Sequence, residues 1–337
     1  MTTTTAARPL PVLREYDDWP RGPLHLVIGE FDGVHSGHQA AVRALRESAR
    51  RDGATALAMH FDPIPIEHLA PAAPRSAITD AAERTQMLFE AGADAVALVR
   101  FTDDFAHQLP DEFISRVADA GDVRRVIVAP DFRFGHDRVG DVRTLVSLGV
   151  KQRFVVDVVE TVYSQRRTVT AALVRNALLA GDIADANGLL GRTYSLVGHV
   201  APGRRLLAKG LGHPTIDLLA PTDRLVPRNG VYAVWAEVDG QRVGAIANLV
   251  LRAGVGRALE WHLEVHLLDG ETALHGESAR VFFIRRLRDE MRFPSGWELS
   301  QQIGRDVVAA RAVLHEDGSS GAGDAPATPI GHPRGSM

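Results

Sequence analysis

Short apolar runs alternate with helical periodicity through the first half of the chain. Residues 24–28, 54–59, 95–99, 125–129 and 154–159 are strand-sized runs rich in Val, Leu, Ile and Ala, the pattern of strands buried on both faces. Between them, residues 39–51 place Val42, Leu45 and Ala49 on one helical face. Residues 80–91 open on an Asp80-x-x-Glu83 cap and stop at Gly92, and Pro110-Asp111-Glu112 opens a helix that carries Phe113, Ile114 and Val117. Strict alternation of strand and helix predicts a parallel sheet with helices on both sides, an α/β doubly wound, Rossmann-like domain.

After residue 191 the period changes to two. Residues 194–200, 230–238, 243–251, 259–268 and 279–284 alternate apolar and polar side chains between Gly, Pro, Asp and Asn, which predicts a small β-barrel or sandwich. One helix, over 297–313, carries Leu299, Ile303, Val307, Ala310 and, just past it, Leu314 at helical spacing. The expected organisation is a flexible 1–20, a first domain over 21–190, a barrel with its closing helix over 191–315, and a disordered tail over 316–337, where Gly, Ala, Ser and Pro leave little to bury.

Composition narrows the function classes. The 337 residues carry a net charge of −4, too weak a field to attract nucleic acid or an anionic membrane. Cysteine is absent, which excludes disulfides, thiolate nucleophiles, iron–sulfur clusters and cysteine-held zinc. The chain opens without a secretory pattern, and no window reaches the roughly 18–20 apolar residues of a membrane helix. A cytoplasmic protein with small-molecule substrates is expected; its oligomeric state stays open, a homo-oligomer included.

The sharpest local signal is residues 28–39, IGEFDGVHSGHQ, between the first strand and the first helix. A glycine-rich strand-to-helix turn lets backbone approach a phosphate whose charge the helix N-terminus favours. His35 and His38, spaced by Ser36 and Gly37, can donate hydrogen bonds to phosphate oxygens as charge shifts toward a leaving pyrophosphate. Such a transfer needs positioning and charge stabilisation, with no protein nucleophile.

This run resembles the HxGH signature of nucleotidylyltransferases, and its full length resembles the prokaryotic bifunctional riboflavin kinase/FAD synthetase family. Further along, residues 61–65 (FDPIP) resemble that family's FDPHP stretch, 131–135 its DFRFG, 180–182 with 191–194 its AGD…GRPY hinge, 211–217 (LGHPTID) its LGFPTAN, and 229–232 its DGVY. Residues 263–269 and 287–290 also fit the kinase module.

The resemblance implies adenylylation of FMN to FAD by the first domain and phosphorylation of riboflavin by a six-stranded barrel, both with ATP and magnesium. It assigns the ATP phosphates to His35, His38 and Arg175, with Gly29, Phe31, Asp32, Gly33, Gly37 and Thr170 around the nucleotide. Phe61, Asp131, Phe132 and Phe134 would shape the flavin side. In the barrel, Thr215 and Asp217 would hold magnesium, Gly212, Thr215 and Asn248 the nucleotide, and Arg288 and Glu290 the flavin, while Glu264 would take the proton of the ribityl 5′-hydroxyl. Ile64 stands where the family has His, Ala171 where it has Ser, and Asp217 where it has Asn. Three readings follow: an enzyme with both activities, the same fold turned to another flavin analogue or acceptor, and a non-catalytic flavin or nucleotide binder.

Overall fold

The computed structural model describes residues 11–70, 77–200, 215–238, 240–253, 259–268 and 278–320. They form two units. The first takes in residues up to Arg175 together with Leu189–Gly191 and Asp223–Leu225, and the second takes the rest.

The first unit runs β1 (Val12–Leu13), β2 (Pro23–Ile28), α1 (Ser36–Asp52), β3 (Thr55–Asp62), α2 (Pro65–Leu69), α3 (Ala81–Ala91), β4 (Ala95–Arg100), α4 (Asp103–Ala106), α5 (Pro110–Asp119), β5 (Asp122–Val128), α6 (Val142–Gln152) and β6 (Val155–Val158). A small hairpin follows, β7 (Tyr163–Ser164) with β8 (Arg167–Thr168), and then α7 (Ala171–Ala180) begins. The six-stranded sheet has the order β1-β4-β3-β2-β5-β6 with every pair parallel. Strand alternation divides its side chains between two cores. Leu24, Leu26, Ile28, Leu57 and Met59 pack on one face with α5 and α6, while Val27, Ala56, Ala58, Val96 and Ile127 pack on the other against Val42, Leu45 and Ala49 of α1. This is the doubly wound arrangement expected from the alternation of elements.

Two local differences have physical causes. Residues 12–13, expected to be flexible, pair with β4, because Leu13 and Trp19 both find burial in the first core. Helix α1 starts at Ser36, earlier than its apolar stripe, because the His35 side chain accepts from the His38 amide and caps it. Imidazole is outside the usual set of N-cap residues.

The second unit holds the second half of α7, most of α8 (Ile183–Leu190), and a closed barrel of β9 (Tyr194–Val200), β10 (Thr215–Leu219), β11 (Gly230–Val238), β12 (Gln241–Ala253), β13 (Leu259–Leu267) and β14 (Ser278–Arg288), followed by α9 (Gly296–Ser320). Thr215 is the first residue of β10, a strand outside the period-two runs expected from sequence. The barrel encloses Leu196, Leu218, Tyr232, Val234, Leu249, Leu263, Val265 and Phe283, and α9 covers the outward-facing Val231, Ala233 and Ile246 with Ala310, Val313 and Leu314. Helix α9 runs past the expected boundary at 315, since Glu316 pairs with Arg285 and Asp317 accepts from the Trp235 indole at 2.8 Å.

Candidate functional site

Strand order reverses between β2 and β5, and the loops leaving their carboxyl ends carry residues 29–35 and 129–141. Ligands of open α/β sheets bind at such a switch point. The loop after β2 is strained: Phe31 and Val34 sit at φ 50° and 38°, a region that costs a β-branched residue most. Two glycines make room for it. A Cβ on Gly37 would lie 3.2 Å from the His35 ring, and one on Gly33, itself at φ +74°, would meet Ile78 at 3.0 Å. The His35 and His38 rings stack at 3.6 Å, with Phe31 edge-on to His38 at 5.0 Å. His35 Nδ1 accepts the His38 amide, so a neutral His35 carries its proton on Nε2. Glu30 heads the loop 3.8 Å from Arg138, and burial holds its carboxyl above the usual range against that cation.

Other residues expected at the nucleotide turn inward. Phe31 and Asp32 are buried behind the loop. Asp32 accepts from the amides of Ile78 and Thr79 at 2.8 and 3.2 Å and from Arg175 at 2.6 Å. Its carboxylate therefore braces the loop and orients Arg175. Thr170 caps α7 by accepting the Leu173 amide at 3.2 Å. The structure also supplies a group that the sequence reading passed over. Arg84, buried, donates to the carbonyls of Thr79 and Phe61 at 2.6 and 3.1 Å and to His60 Nδ1 at 3.5 Å. His60 then donates from Nε2 to Thr85, whose hydroxyl bonds Ala81 O. Burial, with Arg84 beside it, pushes the imidazole down to about 3, so it is neutral at physiological pH.

On the expected flavin side, Phe61 and Phe134 belong to the core and only Phe132 and Phe105 are partly exposed. Phe132 stacks on Phe134 at 5.4 Å, Phe134 meets Phe113, and Phe105 lies 5.5 Å from Phe61. The buried rings thus back the two that present a face, and Asp131 is exposed beside them. Ile64 is fully buried. It fills core space, and the loss of a polar group from the site is not its only effect.

In the barrel, register sets the geometry. Asp217 on β10 and Asn248 on β12 both lie directly opposite Glu264 on β13, so all three side chains share the outer face, with Thr215 two residues from Asp217 on the same face. Glu264 Oε2 accepts from the Asn248 amide at 3.1 Å and Oε1 pairs with Arg252 at 2.6 Å. Two residues missed in the sequence complete the row: His266 bonds the Thr215 hydroxyl at 2.7 Å, and His262 Nδ1 bonds the buried Asp217 carboxylate at 3.0 Å. The signal was present as His262-x-Glu264-x-His266, period two on one strand. Arg288, expected at the flavin, is committed to Asp306 of α9 through three contacts of 2.6 to 3.1 Å, and Glu290 is exposed beyond β14. Gly212 lies outside the described residues.

Magnesium would require oxygen donors. Thr215, Asp217 and Asn248 supply them, and Asn248 Oδ1 is buried with no hydrogen-bond partner among the described residues. Among the described residues no group of three or more His, Asp or Glu is placed to hold an ion.

Residues 20–172 match the family described as FAD synthetase, and residues 190–314 that described as riboflavin kinase. A bifunctional riboflavin kinase/FMN adenylyltransferase of Pseudomonas fluorescens is 39% identical over 290 residues, covering 85% of this chain and 91% of that protein. One from Escherichia coli (strain K12) is 35% identical over 295 residues, covering 87% and 93%. A crystal structure described as a macrolide-efflux protein from Streptococcus pneumoniae superposes with a TM-score of 0.80 at 27% identity, covering 89% of this chain and 98% of that one. Among the described residues no helix is long and apolar enough to cross a membrane. With both halves matched in order and relatives aligned over most of their length, the chain belongs to the family of bifunctional riboflavin kinase/FMN adenylyltransferases.

Proposed function

We propose that this protein makes flavin nucleotides in two steps, phosphorylating riboflavin to FMN on the barrel and adenylylating FMN to FAD in the first unit, in the cytoplasm. The observation that carries the reading is the register that sets Glu264 opposite Asp217 and two residues from Thr215 on one barrel face. A primary hydroxyl is a poor nucleophile at neutral pH and needs a carboxylate within hydrogen-bond reach to accept its proton. Glu264 takes that proton as the 5′-oxygen bonds to the γ-phosphorus of ATP, the bond from that phosphorus to the bridging oxygen breaks, and ADP leaves. Arg252 and Asn248 hold the carboxylate for this task. Magnesium held by Thr215 and Asp217, with Asn248 Oδ1, would neutralise phosphate charge.

In the first unit, a phosphate oxygen of FMN bonds to the α-phosphorus of ATP and pyrophosphate departs. The chain supplies no nucleophile. His35 and His38, fixed against each other at the start of α1, donate to phosphate oxygens where charge accumulates, aided by the helix N-terminus. Arg175, held by Asp32, adds a cation beside the loop. Phe132 and Phe105 offer aromatic faces to the isoalloxazine ring.

The test is incubation of purified protein with ATP, magnesium and either riboflavin or FMN, followed by chromatography. FMN and FAD are expected from riboflavin, and FAD from FMN. Bound flavin recovered unchanged from both incubations would sink the proposal, and FAD from FMN alone would leave the barrel without its step.

A further inference from the structure

Residues 77–79 form a strap beneath the Asp32–Gly33 turn. The Ile78 and Thr79 amides donate to Asp32 Oδ1, the Thr79 hydroxyl accepts the Gly33 amide at 2.9 Å, and the Ile78 side chain packs so close that a Cβ on Gly33 would meet it at 3.0 Å. The strap is held in turn by its carbonyls. Ala77 O accepts from the Leu225 amide at 2.7 Å, Ile78 O from Arg224 Nη2 at 2.7 Å, and Thr79 O from Arg84 Nη1 at 2.6 Å. Arg224 also pairs through Nη1 with Glu83 at 2.7 Å, the two side chains 3% and 7% exposed. Burying two charges is costly, and the expense is recovered only when geometry and further hydrogen bonds satisfy them. A hydrophobic pair would fill the same space more cheaply but could not grip a carbonyl.

Arg224 lies inside the stretch that matches riboflavin kinases, 190–314, yet Asp223–Leu225 folds as part of the first unit. We propose that Arg224 is a positioning residue for adenylylation: through Glu83 and the strap it fixes the turn that presents His35 and His38 to ATP. FAD formation then depends on a side chain from outside the stretch that matches FAD synthetases, 20–172. The inference rests on the adenylylation step of the proposed function.

The test uses the full-length chain with Arg224→Lys, Glu83→Gln and the double variant. Lysine keeps the charge but cannot reach Glu83 and Ile78 O together as the planar fork does. Each single variant should lower kcat/KM for ATP in FAD formation by about tenfold or more, since small displacements of reacting groups cost that much. The KM for FMN and the rate of riboflavin phosphorylation should stay within about twofold, and the double variant should be no worse than the poorer single one. Amide hydrogen exchange at Gly33 reports the turn without turnover and should quicken by about tenfold. Wild-type protein that makes no FAD overturns the proposed function. Wild-type protein whose FAD rate the variants match, equal loss of FAD formation and riboflavin phosphorylation, a raised KM for FMN, or unchanged exchange at Gly33 each overturns this inference.

Discussion

The two candidate sites are built by opposite means. On the barrel, Thr215, Asp217, Asn248 and Glu264 are placed by the hydrogen-bond ladders of three neighbouring strands, and the backbone that carries them is regular. In the first unit, the histidine pair stands on a loop with two non-glycine residues at positive φ. That loop is held by Asp32, by Arg175 from far away in sequence, and by the strap that the buried Arg84 grips. A ladder positions side chains as a by-product of the sheet. A loop at the end of a strand must be positioned by groups whose only task is to support it, and those groups bring buried charge with them.

Acid should separate the two most sharply. His60 binds a proton in the unfolded chain near pH 6.5, the ordinary value for imidazole, but in the folded protein only near 3. Stability from this group is therefore complete above pH 6.5 and is lost as pH falls toward 3, by up to about 5 kcal/mol. The unfolding free energy of the first unit, followed from pH 7 to 4, should fall more steeply in wild type than in His60→Gln; equal slopes would break the contrast. Next in size, Glu264→Gln should lower FMN formation by about 10² to 10⁴ and leave FAD synthesis from supplied FMN intact, read by product chromatography. His38→Ala should do the reverse, lowering FAD formation by about 10² with phosphorylation unchanged. Restoring the family residue with Ile64→His should destabilise the first unit by about 1–3 kcal/mol without raising FAD synthesis, because the ring would enter a fully buried site; a gain in FAD would show that the site had lost a working group. The smallest effect is expected at His262→Ala, which should raise the magnesium concentration needed for half-maximal FMN formation by about tenfold, with Mn2+ binding measured directly by calorimetry as the check.

What could be read from the sequence follows the same division. Period-two runs gave the barrel strands, and the face of Glu264 followed from Leu263 and Val265 on either side of it, both buried. The alternation of strand and helix gave the parallel sheet, and IGEFDGVHSGHQ located the histidine pair. Strand β10 escaped because five residues carry too little periodicity, and β1 because two residues carry none. His60, Arg84 and Arg224 could not be read at all: each acts through carbonyls and side chains brought together only by the fold, and buried arginine is rare enough that local pattern argues against it. Asp32 and Phe31 were read correctly as parts of the loop but assigned to its ligand face, since a motif gives position along the chain and not the direction of a side chain where φ is positive.

The closed barrel and the open sheet also differ in what they offer to other chains. Among the described residues each barrel strand is paired on both sides, so the barrel itself offers no open strand edge. The sheet of the first unit ends on β1, only two residues long, and on β6, where Val155 and Val158 are about half exposed and Asp157 is tied to Arg125 at 2.5 Å. The short strand on one side and the fixed carboxylate on the other are what keep that sheet from growing by a strand from a neighbour. Loss of the charge at 157 should show first as turbidity on heating, with the barrel carried into the aggregate as a passenger.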